Sequence, residues 1–340
     1  MEEVLNVNHL NVSFSTMNGT VHAVRDVSFH LNKGEILATV GESGCGKTVM
    51  IKSILRLHDK TNAVISEDSQ ILFNGTDIRK MGKKELQAIR GNEIAMIFQD
   101  SMTSLNPTTR VGKQIMESLK IHNPGMSRQQ QMERAVELLK LVEIPDPERR
   151  MLAYPHQLSG GMRQRIMIAI ALSCNPKVLL ADEPTTALDV TIQAQLLDLL
   201  QELKQKLDMS IILVTHDLNV VVGFADRIQV MYAGQIVEEG TCEEIMKRGE
   251  HPYTWALMMA VPGGTAKKKS ALYTIPGTPP DLRLPLEQCP FASRCRYCMG
   301  ICRKEMPERT VLSETHAVRC WLLDENAPKV EKPIGGEENE

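Results

Sequence analysis

The residues Gly41-Glu42-Ser43-Gly44-Cys45-Gly46-Lys47-Thr48 constrain this chain more than any others. Three glycines so close together are poor material for a helix or a strand, so the chain must turn here. The stretch 36–40 before the turn is a continuous apolar run, which suits a strand covered on both faces. The stretch 47–57 after it has a helical pattern. Strand, glycine-rich turn and helix, with the spacing G-x-x-x-x-G-K-[ST], make a phosphate-binding loop. Its backbone N–H groups can face phosphate oxygens, and the helix N-terminus favours an anion. Lys47 brings a mobile positive charge to the outer phosphates, and the Thr48 hydroxyl can ligate magnesium.

A second segment supplies acid. The apolar run 178–181 ends in Asp182-Glu183. Asp182, at a strand end, can hold magnesium through its water shell. Glu183, one residue on, can act as general base on an attacking water. Runs at 94–98 and 211–214 read as further buried strands, whereas 4–14 and 21–31 alternate as half-buried antiparallel strands do. Between 108 and 174 the pattern is helical, with joints near Pro124 and Pro145. The expected fold class is therefore α/β: a phosphate-loop core with an antiparallel β subdomain and a helical subdomain inserted over about 100–174. The stretches 228–232 and 235–238 form a hairpin around Ala233-Gly234. Thr241 with Glu244 makes a capping box for the next helix.

The remaining composition excludes some partners. Over 340 residues the net charge is −3, so no nucleic-acid partner is expected. Met1-Glu2-Glu3 lacks the layout of a signal peptide. The longest apolar run, 166–172, falls far short of the roughly 20 residues that span a bilayer. The expectation is a chain soluble by itself, with other chains crossing any membrane it serves.

Leu158-Ser159-Gly160-Gly161-Met162-Arg163-Gln164 narrows the class. Ser159 and two glycines ahead of a helix form a second anion-ready helix start, a plain cap being the lesser alternative beside the other motifs. Here the chain resembles the ABC ATPase family, whose signature is LSGGQ, with Met162 at the usual Gln position. Other elements of that family follow in order over about 4–240. The resemblance makes Gln99 the Q-loop glutamine, Ala187-Leu188-Asp189 the D-loop and His216 the switch histidine. It makes Phe14 the aromatic that stacks on adenine. It implies ATP and magnesium as cofactors, with Thr48, Gln99 and Asp182 around the ion and Glu183, His216, Gln99 and Lys47 as the catalytic set. It also implies a head-to-tail dimer, in which Ser159, Gly160 and Gly161 cap ATP held by a second, related ATPase chain.

After His251 the texture changes. Pro262-Gly263-Gly264 and Pro276-Gly277-Thr278-Pro279-Pro280 mark loops, and five of the eight cysteines fall at Cys289, Cys295, Cys298, Cys302 and Cys320. So small a loop-rich segment suits a metal staple. From spacing alone zinc, an iron–sulfur cluster and buried free thiols stay open, with His316 as a further candidate ligand. His251-Pro252-Tyr253-Thr254, Ile275-Pro276-Gly277 and Cys289-Pro290-Phe291-Ala292-Ser293-Arg294-Cys295 resemble the C-terminal extension of oligopeptide and dipeptide transporter ATPases. That resemblance implies a four-iron four-sulfur cluster on Cys289, Cys295, Cys302 and Cys320, with Cys298 extra. The organisation expected is an ATPase domain at 1–250, the extension at 251–327 and a disordered tail at 328–340.

The resemblance further implies two membrane permease subunits, an extracytoplasmic peptide-binding protein and a place at the cytoplasmic face of the membrane. The same motor could carry nickel or another small solute. A soluble ABC ATPase is the other alternative, but such proteins carry two cassettes or a long coiled coil, and the span 48–158 has no sustained heptads.

Overall fold

The computed structural model describes residues 2–58, 62–99, 104–186, 188–260 and 275–333. The chain divides into two compact units. One holds the first few residues, Leu31–Glu35 and Phe73–Val214; the other holds Asn6–His30, Ile36–Leu72 and the chain from Thr215 onward.

The first unit is built on parallel strands Ile94–Ile97, Val178–Asp182 and Ser210–Thr215, with Ile97 beside Ala181 and Asp182 beside Val214. Val178–Asp182 and Ser210–Thr215 are buried throughout, which accounts for their unbroken apolar texture. Besides helix Lys83–Ile89, the unit's helices among the described residues are Val111–His122, Arg128–Leu141, Pro147–Arg150, Gly160–Ala171 and Val190–Leu207. Ser127 and Gln130 close a capping box on the second of these, at 3.3 and 2.8 Å. Glu143 and Asp146 sit at positive φ in the joint that follows. The longest apolar run becomes the inner face of helix Gly160–Ala171, where Ile166, Ile168 and Ala169 are fully buried. Residues 100–103 of the expected helical subdomain lie outside the described residues.

The second unit contains an antiparallel sheet in which Glu3–Thr16 lies between Gly19–Asn32 and Gln70–Phe73, and Ala63–Ile65 pairs with Glu3–Thr16. Ile36–Val40 pairs in parallel with Arg227–Tyr232, placing Val40 beside Val230. The hairpin forms as expected, between Arg227–Tyr232 and Gln235–Thr241. Its turn residues Ala233 and Gly234 both have positive φ, 49° and 86°, so the turn twists with its strands. Short strands Thr310–Val311 and Ala317–Val318 extend the hairpin, with Val318 opposite Glu238.

Contacts cross the position near residue 250 where the change of texture falls. Glu238 on the hairpin is a fully buried carboxylate. It accepts hydrogen bonds from the N–H groups of Glu250 (2.6 Å) and His251 (3.1 Å), the Thr254 hydroxyl, and His316 Nε2 at 2.9 Å. A buried carboxylate needs such partners, and all four lie beyond the hairpin, so residues beyond 250 pack as part of the phosphate-loop unit. Within the expected tail Lys332 pairs with Glu250; residues 334–340 lie outside the described residues, as does Pro262-Gly263-Gly264. Among the described residues no helix is long and apolar enough to cross a membrane.

The hydrogen bond to Glu238 raises the pKa of His316, whereas burial lowers that of His251 to about 4. A histidine with a raised folded pKa contributes its full stability below the unfolded value, and loses it as pH rises through the folded one. His316→Ala should therefore cost about 2 kcal/mol in acid, where a charge-assisted bond is lost, and less in alkali. Thermal unfolding of the variant against the parent, at about pH 5.5 and about pH 8.5, measures this, because His251 titrates equally in both proteins. An equal penalty at both values contradicts the assignment.

Candidate nucleotide-binding site

In the second unit the buried strand Ile36–Val40 delivers the chain into the loop 41–46, and helix Lys47–Ile54 leaves it. Two glycines are fixed by crowding. A Cβ on Gly41 would lie 2.2 Å from the Met231 carbonyl oxygen, and one on Gly46 would lie 2.2 Å from that of Ala23. Gly46 also has φ +108°, where side chains are strained. At the tip, Ser43 and Gly44 are exposed. A Cβ on Gly44 would meet nothing within 4 Å. The loop thus offers open, side-chain-free backbone on its outer side, as phosphate recognition requires.

Lys47 is buried, and its ammonium donates to the carbonyls of Gly41 at 2.7 Å and Glu42 at 2.9 Å. The positive charge is thereby held inside the loop. Cys45 is buried too, its thiol pKa pushed up by burial, and its carbonyl accepts from the N–H of Gly234 in the hairpin turn. Thr48 is half-buried at the start of the helix. Phe14 is half-buried beside Ala63, and His58 meets its ring edge-on at 5.4 Å. His216 is exposed just past strand Ser210–Thr215.

In the first unit Asp182 is fully buried and Glu183 is 8% exposed. Glu183 has φ +45°. Its N–H donates to Val214 at 2.9 Å. A non-glycine residue in the left-handed region is strained and is kept only where its surroundings fix it. The carboxylate accepts from Gln99 Nε2 at 3.1 Å and from the Thr186 hydroxyl at 2.9 Å. Gln99 and Glu183, 84 positions apart, are brought into direct contact. Gln164 of the signature helix donates to the Pro184 carbonyl at 2.6 Å, tying that helix to the turn after Glu183.

Ser159 is the N-cap of helix Gly160–Ala171, its hydroxyl accepting from the Met162 N–H at 3.3 Å. Gly160 beside it is exposed, with open space where a Cβ would stand. Asp189 caps helix Val190–Leu207 through Ile192 at 2.9 Å, while Ala187 of the same motif lies outside the described residues. Gln99, Ser159, Gly160, Gly161, Asp182, Glu183 and Asp189 therefore share one unit, and Phe14, the loop and His216 share the other.

Sequence reasoning missed the surroundings of Glu42. Its carboxylate receives a two-pronged ion pair from Arg294, at 2.5 and 2.9 Å, and its N–H donates to the Tyr253 hydroxyl at 2.8 Å. The only signal was a carboxylate inside an anion-binding loop, which does not name its partners, although both stand in segments already set apart as the extension. Thr186 and Gln164 carried no comparable mark.

The expected iron–sulfur site is not supported. All eight cysteines are free thiols, and among the described residues no group of three or more His, Cys, Asp or Glu is placed to hold a metal. Burial pushes the Cys289 thiol up to about 12 and Cys295 up to about 11, and raises Cys302 and Cys320 as well. His316, the further candidate ligand, is engaged by Glu238 instead. Among the described residues, then, the arrangement lends the cluster no support.

Comparison with known proteins agrees with this geometry. Residues 24–186 match the ABC transporter family, and residues 237–302 match the C-terminal region of oligopeptide/dipeptide transporters. The chain is 53% identical to the oligopeptide transport ATP-binding protein OppD of Bacillus subtilis, covering 97% of this chain and 92% of that one. It is 52% identical to the dipeptide transport ATP-binding protein DppD of Lactococcus lactis, covering 97% and 93%. Among solved structures, the dimeric bacterial ABC transporter cassette MJ0796 aligns with TM-score 0.62 and 29% identity, over 70% of this chain and 98% of that one. A strand-anchored phosphate loop, a strand ending in paired carboxylates and a capped signature helix are thus joined to a peptide-transporter extension. The chain belongs to the ABC transporter ATP-binding family, in the oligopeptide and dipeptide branch.

Proposed function

We propose that this chain is the ATP-hydrolysing subunit that energises an importer of dipeptides and oligopeptides. What carries the reading is the union, in one chain, of an ABC phosphate loop with the extension matched to oligopeptide/dipeptide transporters. The transport names of the relatives point the same way.

The roles follow from chemistry. The backbone of Gly41, Glu42, Ser43, Gly44, Cys45 and Gly46 would wrap the triphosphate, and Lys47 would turn its ammonium from the loop carbonyls to the outer phosphates. Phe14 would offer its ring face to adenine. Thr48, Gln99 and Asp182 carry hydroxyl, amide and carboxylate oxygens, the hard donors magnesium prefers. When bound, the ion neutralises phosphate charge. Glu183, oriented by Gln99 and Thr186, would take the proton of the attacking water. His216 would contact the γ-phosphate and help place that water.

The exposed helix start at Ser159, Gly160 and Gly161 would close over ATP held by a second ATPase subunit, a related chain in head-to-tail pairing, with Asp189 at the same junction. ATP then holds the dimer shut, and hydrolysis lets it open. Two transmembrane permease subunits would receive that motion at the cytoplasmic face of the membrane, and an extracytoplasmic peptide-binding protein would deliver cargo to them.

In the assembled transporter, Glu183→Gln should lower ATP turnover by about 10²-fold or more, the usual contribution of a general base, while ATP still binds. Turnover at the parent rate refutes the role given to Glu183. Lys47→Ala should instead weaken ATP binding about 10- to 100-fold, since charge-assisted bonds are lost; equilibrium titration with a fluorescent ATP analogue measures it, and unchanged affinity refutes that assignment. Stimulation of turnover by nickel and not by peptide would favour a different cargo.

A further inference from the structure

Glu42 is the one acidic residue in a loop shaped for a polyanion. Left alone, its carboxylate would oppose the ligand. Its surroundings remove that conflict. Arg294 Nη1 and Nη2 reach the two carboxylate oxygens at 2.5 and 2.9 Å, a fork geometry that only arginine provides. Arg294 is itself pinned: its side chain is 3% exposed, and its Nε donates to the Pro276 carbonyl at 2.8 Å. The Glu42 N–H donates to the hydroxyl of the fully buried Tyr253, while its carbonyl accepts from Lys47. Backbone and side chain of this residue are therefore all engaged, and Arg294 and Tyr253 both come from the extension beyond residue 250.

We propose that Arg294 is a positioning residue for the nucleotide: it cancels the charge of Glu42 and, with Tyr253, sets the loop in the shape that accepts a triphosphate. This rests on the reading that the loop binds ATP. The extension is then part of the nucleotide site. Without Arg294, a negative charge stands beside the phosphates in a half-buried setting where screening is weak. The harm falls on binding, because Arg294 contacts no reacting atom; KM for ATP should rise while kcat changes little.

The test uses the full-length chain for equilibrium binding of a fluorescent ATP analogue, and the assembled transporter for kcat and KM. Arg294→Met should weaken binding about 10-fold, and Arg294→Lys, which keeps charge but loses the fork, should fall between. Adding Glu42→Gln to Arg294→Met should restore most of the affinity, because the uncancelled charge is gone. A plain structural anchor would lower thermal stability in Arg294→Met without rescue by Glu42→Gln, and that result overturns the proposal. So does parental affinity in Arg294→Met. If that variant does not fold, Arg294→Lys alone decides: it keeps the charge and loses the fork, so affinity should fall and KM for ATP should rise, and parental affinity and KM overturn the proposal. Failure of the parent chain to bind the analogue would instead strike the underlying reading of the loop.

Discussion

Backbone pressed against backbone decides the shape of the loop 41–46. At its two ends the chain passes so close to the Met231 and Ala23 carbonyls that a methyl group would sit 2.2 Å from an oxygen. Those carbonyls belong to two different strands, Arg227–Tyr232 and Gly19–Asn32. The sheets therefore act as a mould: their register positions the carbonyls, and the loop can lie between them only if it carries no side chain there. What remains outward is bare backbone and a helix start, the two features that bind phosphate. The functional surface is a by-product of a packing constraint.

Two carboxylates then decide where the C-terminal part of the chain belongs. Glu238 collects donors from Glu250, His251, Thr254 and His316, and Glu42 collects Arg294 and Tyr253. Neither could be buried or half-buried unpaired without large cost. Each drags distant segments onto the phosphate-loop unit, and aromatic packing completes the attachment: Phe291 meets Tyr232 edge-on at 5.2 Å and Tyr253 at 5.4 Å. An extension with little apolar content of its own is thereby stabilised by the ATPase core, and the core's phosphate loop is in turn shaped by the extension.

Much of this was legible in the sequence, because local rules govern it. The unbroken apolar runs became buried strands, the Ala233-Gly234 pair became the hairpin turn, and Thr241 with Glu244 became a capping box, all determined within a few residues. The phosphate loop, the acidic strand end and the signature helix start were legible for the same reason. What could not be read was pairing between distant positions. Nothing local to Glu42 names Arg294, and nothing local to Glu238 names His316, so contacts that cross the change of texture near residue 250 leave no mark in the sequence. The left-handed backbone of Glu183 is likewise imposed by its neighbours, through the Val214 carbonyl and the side chains of Gln99 and Thr186. For the cysteine cluster, spacing reports neither burial nor the geometry a metal needs.

The central claim is that the moulded loop is already the seat of a triphosphate, closed from outside by a second signature helix. A crystal structure of the chain with magnesium and a non-hydrolysable ATP analogue tests it most directly. The account predicts a loop backbone unchanged from the one described here, phosphates wrapped by its N–H groups, and Ser159 of a paired subunit against the γ-phosphate. Nucleotide bound elsewhere, a loop rebuilt around it, or Ser159 remote from every γ-phosphate would contradict it.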